Sequence, residues 1–164
     1  MKALLEQYAA YNLWANQRLT SRILELPEAV HIQETASSFK TLYGTVMHMW
    51  DAESIWWQRL KMHDVITPPS IHFKGSTLDL SNGYLHQNKL WESWVVQATM
   101  PALEHVFHYQ NSKKEKFRQP VFEMLAHLFN HSTYHRGQLV TMLRQLEVTS
   151  IPATDFIIWS RTRK

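Results

Sequence analysis

The sequence predicts an all-α protein: a four-helix bundle with a short β-hairpin before the fourth helix and a short helix at the C-terminus. Three observations carry this. Four glycines and six prolines are all that break 164 residues, and long stretches hold neither, which favours helices over strands and turns. Four segments carry apolar residues at spacings of three and four, the stripe of a half-buried helix. Proline or polar connections separate these segments. At this length the chain is expected to form one domain, residues 1–164, with a full hydrophobic core.

The first helix is predicted over 2–26, with Leu5, Tyr8, Tyr11, Ala15, Leu19 and Ile23 on its stripe and Pro27 ending it. Residues 27–40 read as a polar connection in which Ser37 or Ser38 caps the second helix. That helix is predicted over 40–63, its apolar arc holding Leu42, Thr45, Met49, Trp56 and Leu60. Glu53 falls well inside that arc. A buried carboxylate without a partner is costly, and Asn12, a polar residue on the first stripe, is the candidate partner. The other reading takes Glu53 to solvent. Residues 64–80 form a loop, and a third helix is predicted over 81–99. Residues 105–109 and 116–119 alternate around a polar turn, the pattern of a hairpin. The fourth helix is predicted over 120–146 and a short last one over 154–161.

The chain has no cysteine, which excludes disulfides, a thiolate nucleophile and cysteine-type zinc sites. No run approaches the roughly 18 apolar residues of a membrane span, and the N-terminus lacks the apolar core of a signal peptide. The expectation is a soluble cytoplasmic protein. A net charge of +3 and two short basic spots, Lys113-Lys114 and Arg161 to Lys164, read as solvated surface rather than a nucleic-acid footprint. Seven tryptophans suit core filling plus an oligomer interface.

Chemistry concentrates at 127–138. His127, His131 and His135 recur every four residues in a helical segment, so they stack one turn apart on one face. Two imidazoles so placed can hold one metal ion. His135 falls within the apolar arc, His131 at its edge, and Gln138 and His127 just beyond. That border position is what an accessible metal needs. His48, at the margin of its own helix's arc, supplies a third ligand if the second and fourth helices are neighbours. Three imidazoles suit Zn²⁺, Ni²⁺ or Fe²⁺. His127 is left as fourth ligand, hydrogen-bonding neighbour or proton carrier. His31, His63, His72, His86, His105 and His108 lack such partners and read as surface or locally hydrogen-bonded. Glu53 lies about 140° around its helix from His48, which makes it structural rather than a general base.

Asn130-His131-Ser132-Thr133-Tyr134-His135-Arg136-Gly137-Gln138 resembles the signature of the DinB/YfiT-like metalloprotein superfamily, most closely its DinB branch. Tyr11-Asn12-Leu13-Trp14-Ala15-Asn16 is similar to the family's first-helix motif. His48 with Glu53 and Trp57 resembles the second-helix motif, and Ala153 to Ile157 the C-terminal end. The resemblance implies an up-down-down-up bundle, usually dimeric. It also implies metal ligation by His48, His131 and His135, with His127 at a frequent but non-ligating histidine position. The superfamily includes transferases and isomerases that use a low-molecular-weight thiol, and hydrolase-like members. The expected function is therefore a metal-dependent thiol transferase or hydrolase acting on a small electrophile, with His127 or Gln138 relaying a proton or orienting a group. The rivals are a non-catalytic metal- or ligand-binding protein and a structural, stress-linked dimer.

Overall fold

A computed structural model describes residues 1–111 and 113–163. Ser112, in the polar turn of the predicted hairpin, and Lys164, the end of the basic tail, lie outside the described residues. The chain is mainly helical: α1 (Lys2–Leu24), α2 (Glu28–His31), α3 (Leu42–Leu60), α4 (Thr77–Gln97), α5 (Met100–Glu104), α6 (Val121–Gln145) and α7 (Phe156–Thr162). A 3-10 turn spans Pro69–Ile71, and β1 (Val106–Gln110) pairs antiparallel with β2 (Lys116–Pro120). The all-α expectation and the hairpin both hold. Among the described residues no helix is long and apolar enough to cross a membrane.

The long helices match the predicted stripes, and the differences lie at their ends. The cap of α3 is Thr41, not Ser37 or Ser38; its side chain accepts from the Gly44 amide at 2.9 Å, leaving one fewer orphan donor in the first turn. α4 begins a turn before the predicted Ser81. Ser76 and Asp79 form a reciprocal capping box there, so Ser81 is interior and buried. Two short helices, α2 and α5, stand where sequence periodicity had too few residues to register. Pro101 sits in the first turn of α5, with Thr99 as its cap, and so opens a helix as well as ending one.

α1 packs on α4 and α6, and α3 packs on the same two helices. Two apolar clusters lie between them. One holds Leu5, Ala9, Trp91, Val95, Leu103, Val121, Leu125 and Phe129. The other holds Leu19, Ile23, Leu42, Met49, Leu80, Tyr84, Leu139 and Leu143. Each fully buried leucine-sized side chain is worth about 1.5–3 kcal/mol.

A buried polar layer also joins the four helices. Asn12 donates to Glu53 Oε1 at 3.0 Å, the partner expected from sequence, and Asn88 donates to Oε2 at 2.8 Å. Arg136 Nη1 donates to Asn12 Oδ1, Asn16 Oδ1 and Ser132 Oγ at 2.7–3.0 Å. Glu53 and Arg136 are each only 2% exposed. Burial pushes the Glu53 carboxyl up to about 8, while Asn12, Arg136, Tyr84 and Asn88 pull against it. Glu53 is thus committed to the interior and does not reach solvent.

Of the seven tryptophans, Trp91 and Trp159 are buried and the other five half-buried. His31 takes the hydrogen-bonded alternative rather than the surface one. It is buried, with its ring nitrogens 2.7 Å from Ile23 O and 3.0 Å from Thr77 Oγ1, and so ties α2 to the end of α1 and the start of α4. The other histidines outside the 48/127/131/135 group are exposed.

Candidate metal centre

α3 and α6 are neighbours, the condition on which His48 depended. The structure brings His48, His131 and His135 together, with one ring nitrogen from each lying within 4.8 Å of the others. His131 Nε2 stands 3.3 Å from His48 Nε2 and 3.0 Å from His135 Nε2. Nitrogens bound tetrahedrally to one zinc at the usual bond length are roughly 3.3–3.4 Å apart. The three side chains therefore fit a first-row divalent ion with little movement.

The protonation state fits as well. Burial pushes the His131 imidazole down to about 4, and the neighbouring His135, His48 and His127 push it the same way. Burial lowers His48 too, helped by His135 and opposed by Asp51, and burial lowers His135 against its hydrogen bond to Gln138. Neutral imidazole is the form that binds metal. His135 Nδ1 lies 2.7 Å from Gln138 Oε1. An amide oxygen only accepts, so Nδ1 carries the hydrogen and the Nε2 lone pair faces the cluster. Gln138, expected to orient a group, orients this ring.

Phe39 was not singled out by sequence. Its ring stacks on His48 with centroids 4.0 Å apart and meets His135 edge-on at 5.7 Å, shielding one side of the cluster. It comes from the segment read as a polar connection. Lys40, φ 58°, adopts the left-handed conformation just after Phe39, and a segment of turns carries no apolar period. Arg136, two residues before Gln138, is likewise a buried part of this region that histidine spacing does not indicate. A helical wheel puts it beside the apolar arc.

His127 is not part of the close group. Its ring centroid lies 5.7 Å from that of His131, against 4.3 Å between His131 and His135. It is exposed, packs edge-on against Trp56 at 5.6 Å, and is lowered by partial burial of its ring. It also lines a cavity of about 910 Å³ on another face of α6, with Tyr8, Phe129, Thr133, Arg136 and Phe156. That cavity does not touch the three clustered histidines.

A sequence model of the DinB family matches residues 1–163. The chain is also 28% identical to Protein DinB of Bacillus subtilis (strain 168) over 164 aligned positions, covering 89% of this chain and 87% of that protein.

Proposed function

The chain belongs to the DinB family, and from that premise we propose that it is a divalent-metal-dependent enzyme, a thiol-dependent S-transferase or hydrolase whose ligands are His48, His131 and His135. The observation that carries this is the convergence of three imidazoles, with His131 Nε2 3.3 Å from His48 Nε2 and 3.0 Å from His135 Nε2 and all three within 4.8 Å. A closed structural site takes four protein ligands, whereas a catalytic one keeps a position open. Three histidines with His127 held apart favour the second arrangement. Zinc is the first choice, with nickel and iron compatible with the same donors.

A bound metal would supply Lewis acidity, lowering the pKa of a water or thiol toward neutrality. The chain's own residues do the rest. Gln138 fixes the His135 tautomer, and Phe39 keeps solvent off one side. His127, its ring centroid 5.7 Å from that of His131, is the group placed to accept or return a proton. With no cysteine in the chain, a nucleophilic thiol arrives as a cosubstrate; it gives up its S–H proton, forms a bond from sulfur to a small electrophile, and the electrophile's leaving group departs with the electron pair of the bond that breaks. The rival is a non-catalytic or structural metal protein.

The architecture belongs to the same reading. One apolar cluster joins the N-terminal halves of α1 and α6 to the C-terminal half of α4; the other joins the C-terminal halves of α1 and α6 to the N-terminal halves of α3 and α4. These pairings support an up-down-down-up four-helix bundle, one domain matched by the family along nearly its whole length. A cytoplasmic homodimer completes the proposal.

Metal analysis of the purified protein, followed by assays of electrophile conjugation with several small thiols and of ester and amide hydrolysis, tests it. Metal-dependent turnover is expected. A stoichiometric metal without turnover on any substrate class would favour the non-catalytic rival.

A further inference from the structure

The outward side of α6 is nearly free of charge. Histidines aside, the helix has three ionisable side chains: Arg136, which is buried, and Glu123 and Arg144, which are exposed near its two ends. Between those ends Ala126, Asn130, Thr133 and Gly137 are exposed and uncharged, and Val140 is half-buried. The accessible side of α1, by contrast, carries Lys2, Glu6, Arg18 and Arg22. A solvated helix face ordinarily holds charged residues throughout, whereas depletion of charge marks the core of an interface.

Positions 123, 126, 130, 133, 137, 140 and 144 alternate in steps of three and four, so they form one stripe about 100° wide. Its middle, Ala126 to Val140, lines the cavity of about 910 Å³ whose other wall is Leu4 and Tyr8 of α1 and Phe156 of α7. A second cavity of about 560 Å³ flanks α6 beside Ser37, Ser38 and Tyr134. α6 is therefore a low ridge between two grooves, a shape that receives another helix. Leu4, Tyr8 and Tyr134 stand 54%, 36% and 64% exposed along it. A Cβ built on Gly137 would meet no atom within 4 Å, so the space in front of that residue is open.

We infer that α6 packs antiparallel on the α6 of a second copy of this chain, about a two-fold axis passing between Thr133 and Tyr134. Charge sets the direction and the register. In this pairing Glu123 of each copy meets Arg144 of the other, and Asn130 meets Gly137. A parallel pairing would set Glu123 against Glu123 and Arg144 against Arg144, and sliding by two turns would separate both opposite pairs. The contact is isologous, one surface used twice, and so closes as a dimer. The size is adequate: 25 residues of helix give a strip about 37 Å long and, with the rims of its grooves, about 20 Å wide, or about 750 Å² per copy against the roughly 800 Å² of a standard interface. This rests on the homodimer of the reading above and adds its face, direction and register.

The test combines sedimentation and disulfide trapping of the full-length protein, with circular dichroism confirming that each variant is folded. Wild type should sediment as a dimer. Glu123→Arg and Arg144→Glu should each weaken dimerisation by about tenfold, because two exposed ion pairs per dimer become repulsive, and the double charge swap should recover the wild-type affinity. The chain has no cysteine, so Asn130→Cys combined with Gly137→Cys should be trapped as a covalent dimer under mild oxidation. Each cysteine alone should not, since it would lie about 10 Å along the helix axis from its own counterpart, too far to bridge. A dimer in which the double charge swap fails to recover, or in which the cysteine pair fails to crosslink, overturns the inference and leaves the homodimer standing on another face. A monomeric wild type overturns both.

Discussion

His131 stands between the other two imidazoles of the cluster, and its environment decides how the site responds to pH. Its folded pKa, about 4, lies below the ordinary histidine value near 6.5. As pH falls, the unfolded chain therefore takes up a proton before the folded one does. The stability associated with this residue is complete above about 6.5 and is lost as pH falls toward 4. Glu53, raised by burial, moves the other way over part of that range, so the comparison must isolate His131. In metal-free protein, the stability advantage of wild type over His131→Gln should shrink between pH 7 and 4, read by thermal melts at each pH. A constant difference would show that the imidazole is not desolvated as described. Gln138 gives a second test at this scale. Gln138→Leu removes the acceptor that sets the His135 tautomer and should weaken metal affinity by about tenfold or more, measured by competition with a chelator. Unchanged affinity would show that Gln138 plays no orienting part.

Between elements, the contact of α3 with α4 turns on one small residue. A Cβ built on Gly83 would come within 2.5–3.0 Å of the Trp50 ring, and Phe73 holds that ring edge-on from another side at 5.2 Å. Gly83→Ala would gain about 1 kcal/mol of helix propensity but force an overpacked ring to move, at about 1–3 kcal/mol. Overpacking should win, giving a net loss of stability in urea unfolding; a gain would mean that Trp50 is free to move. The helices themselves were legible because their stripes are long. α2 and α5, of four and five residues, were not, since a single turn shows no period. The start of α4 was missed for a related reason: its first turn is set by the Ser76 and Asp79 cap rather than by apolar residues.

At the scale of the whole molecule, the polar layer is as much a part of the fold as the two apolar clusters. Asn12 of α1, Glu53 of α3, Asn88 of α4 and Arg136 of α6 form one chain of hydrogen bonds. Removing one member of a buried hydrogen-bonded network leaves its partners unsatisfied, at about 1–3 kcal/mol per group and more for a charged one, whereas removing both is milder. Glu53→Leu and Arg136→Leu should each be strongly destabilising, and the double variant should lose clearly less than their sum in denaturant titrations. Strict additivity would mean that the two ends are not coupled. Half of this network was readable: a carboxylate and an asparagine on apolar stripes predicted the Asn12–Glu53 bond. Arg136 is not readable in the same way, because it lies beside the apolar arc of α6 rather than within it, where an arginine ordinarily reaches solvent. The cluster shows a similar division. Spacing placed His131 and His135 on one helix face, but no spacing within α6 could supply His48, eighty-three residues earlier in the chain. Its position required knowing that α3 lies against α6.

A metal held by three histidines from two helices is the centre of this functional reading, and metal stoichiometry tests it most directly. Elemental analysis of wild type and of His48→Ala, His131→Ala and His135→Ala, each confirmed folded by circular dichroism, should give one divalent ion per wild-type chain and well under one in each variant. His127→Ala should keep its metal. Full occupancy in any of the three variants, or a metal-free wild type after exposure to zinc, nickel and iron, would contradict it.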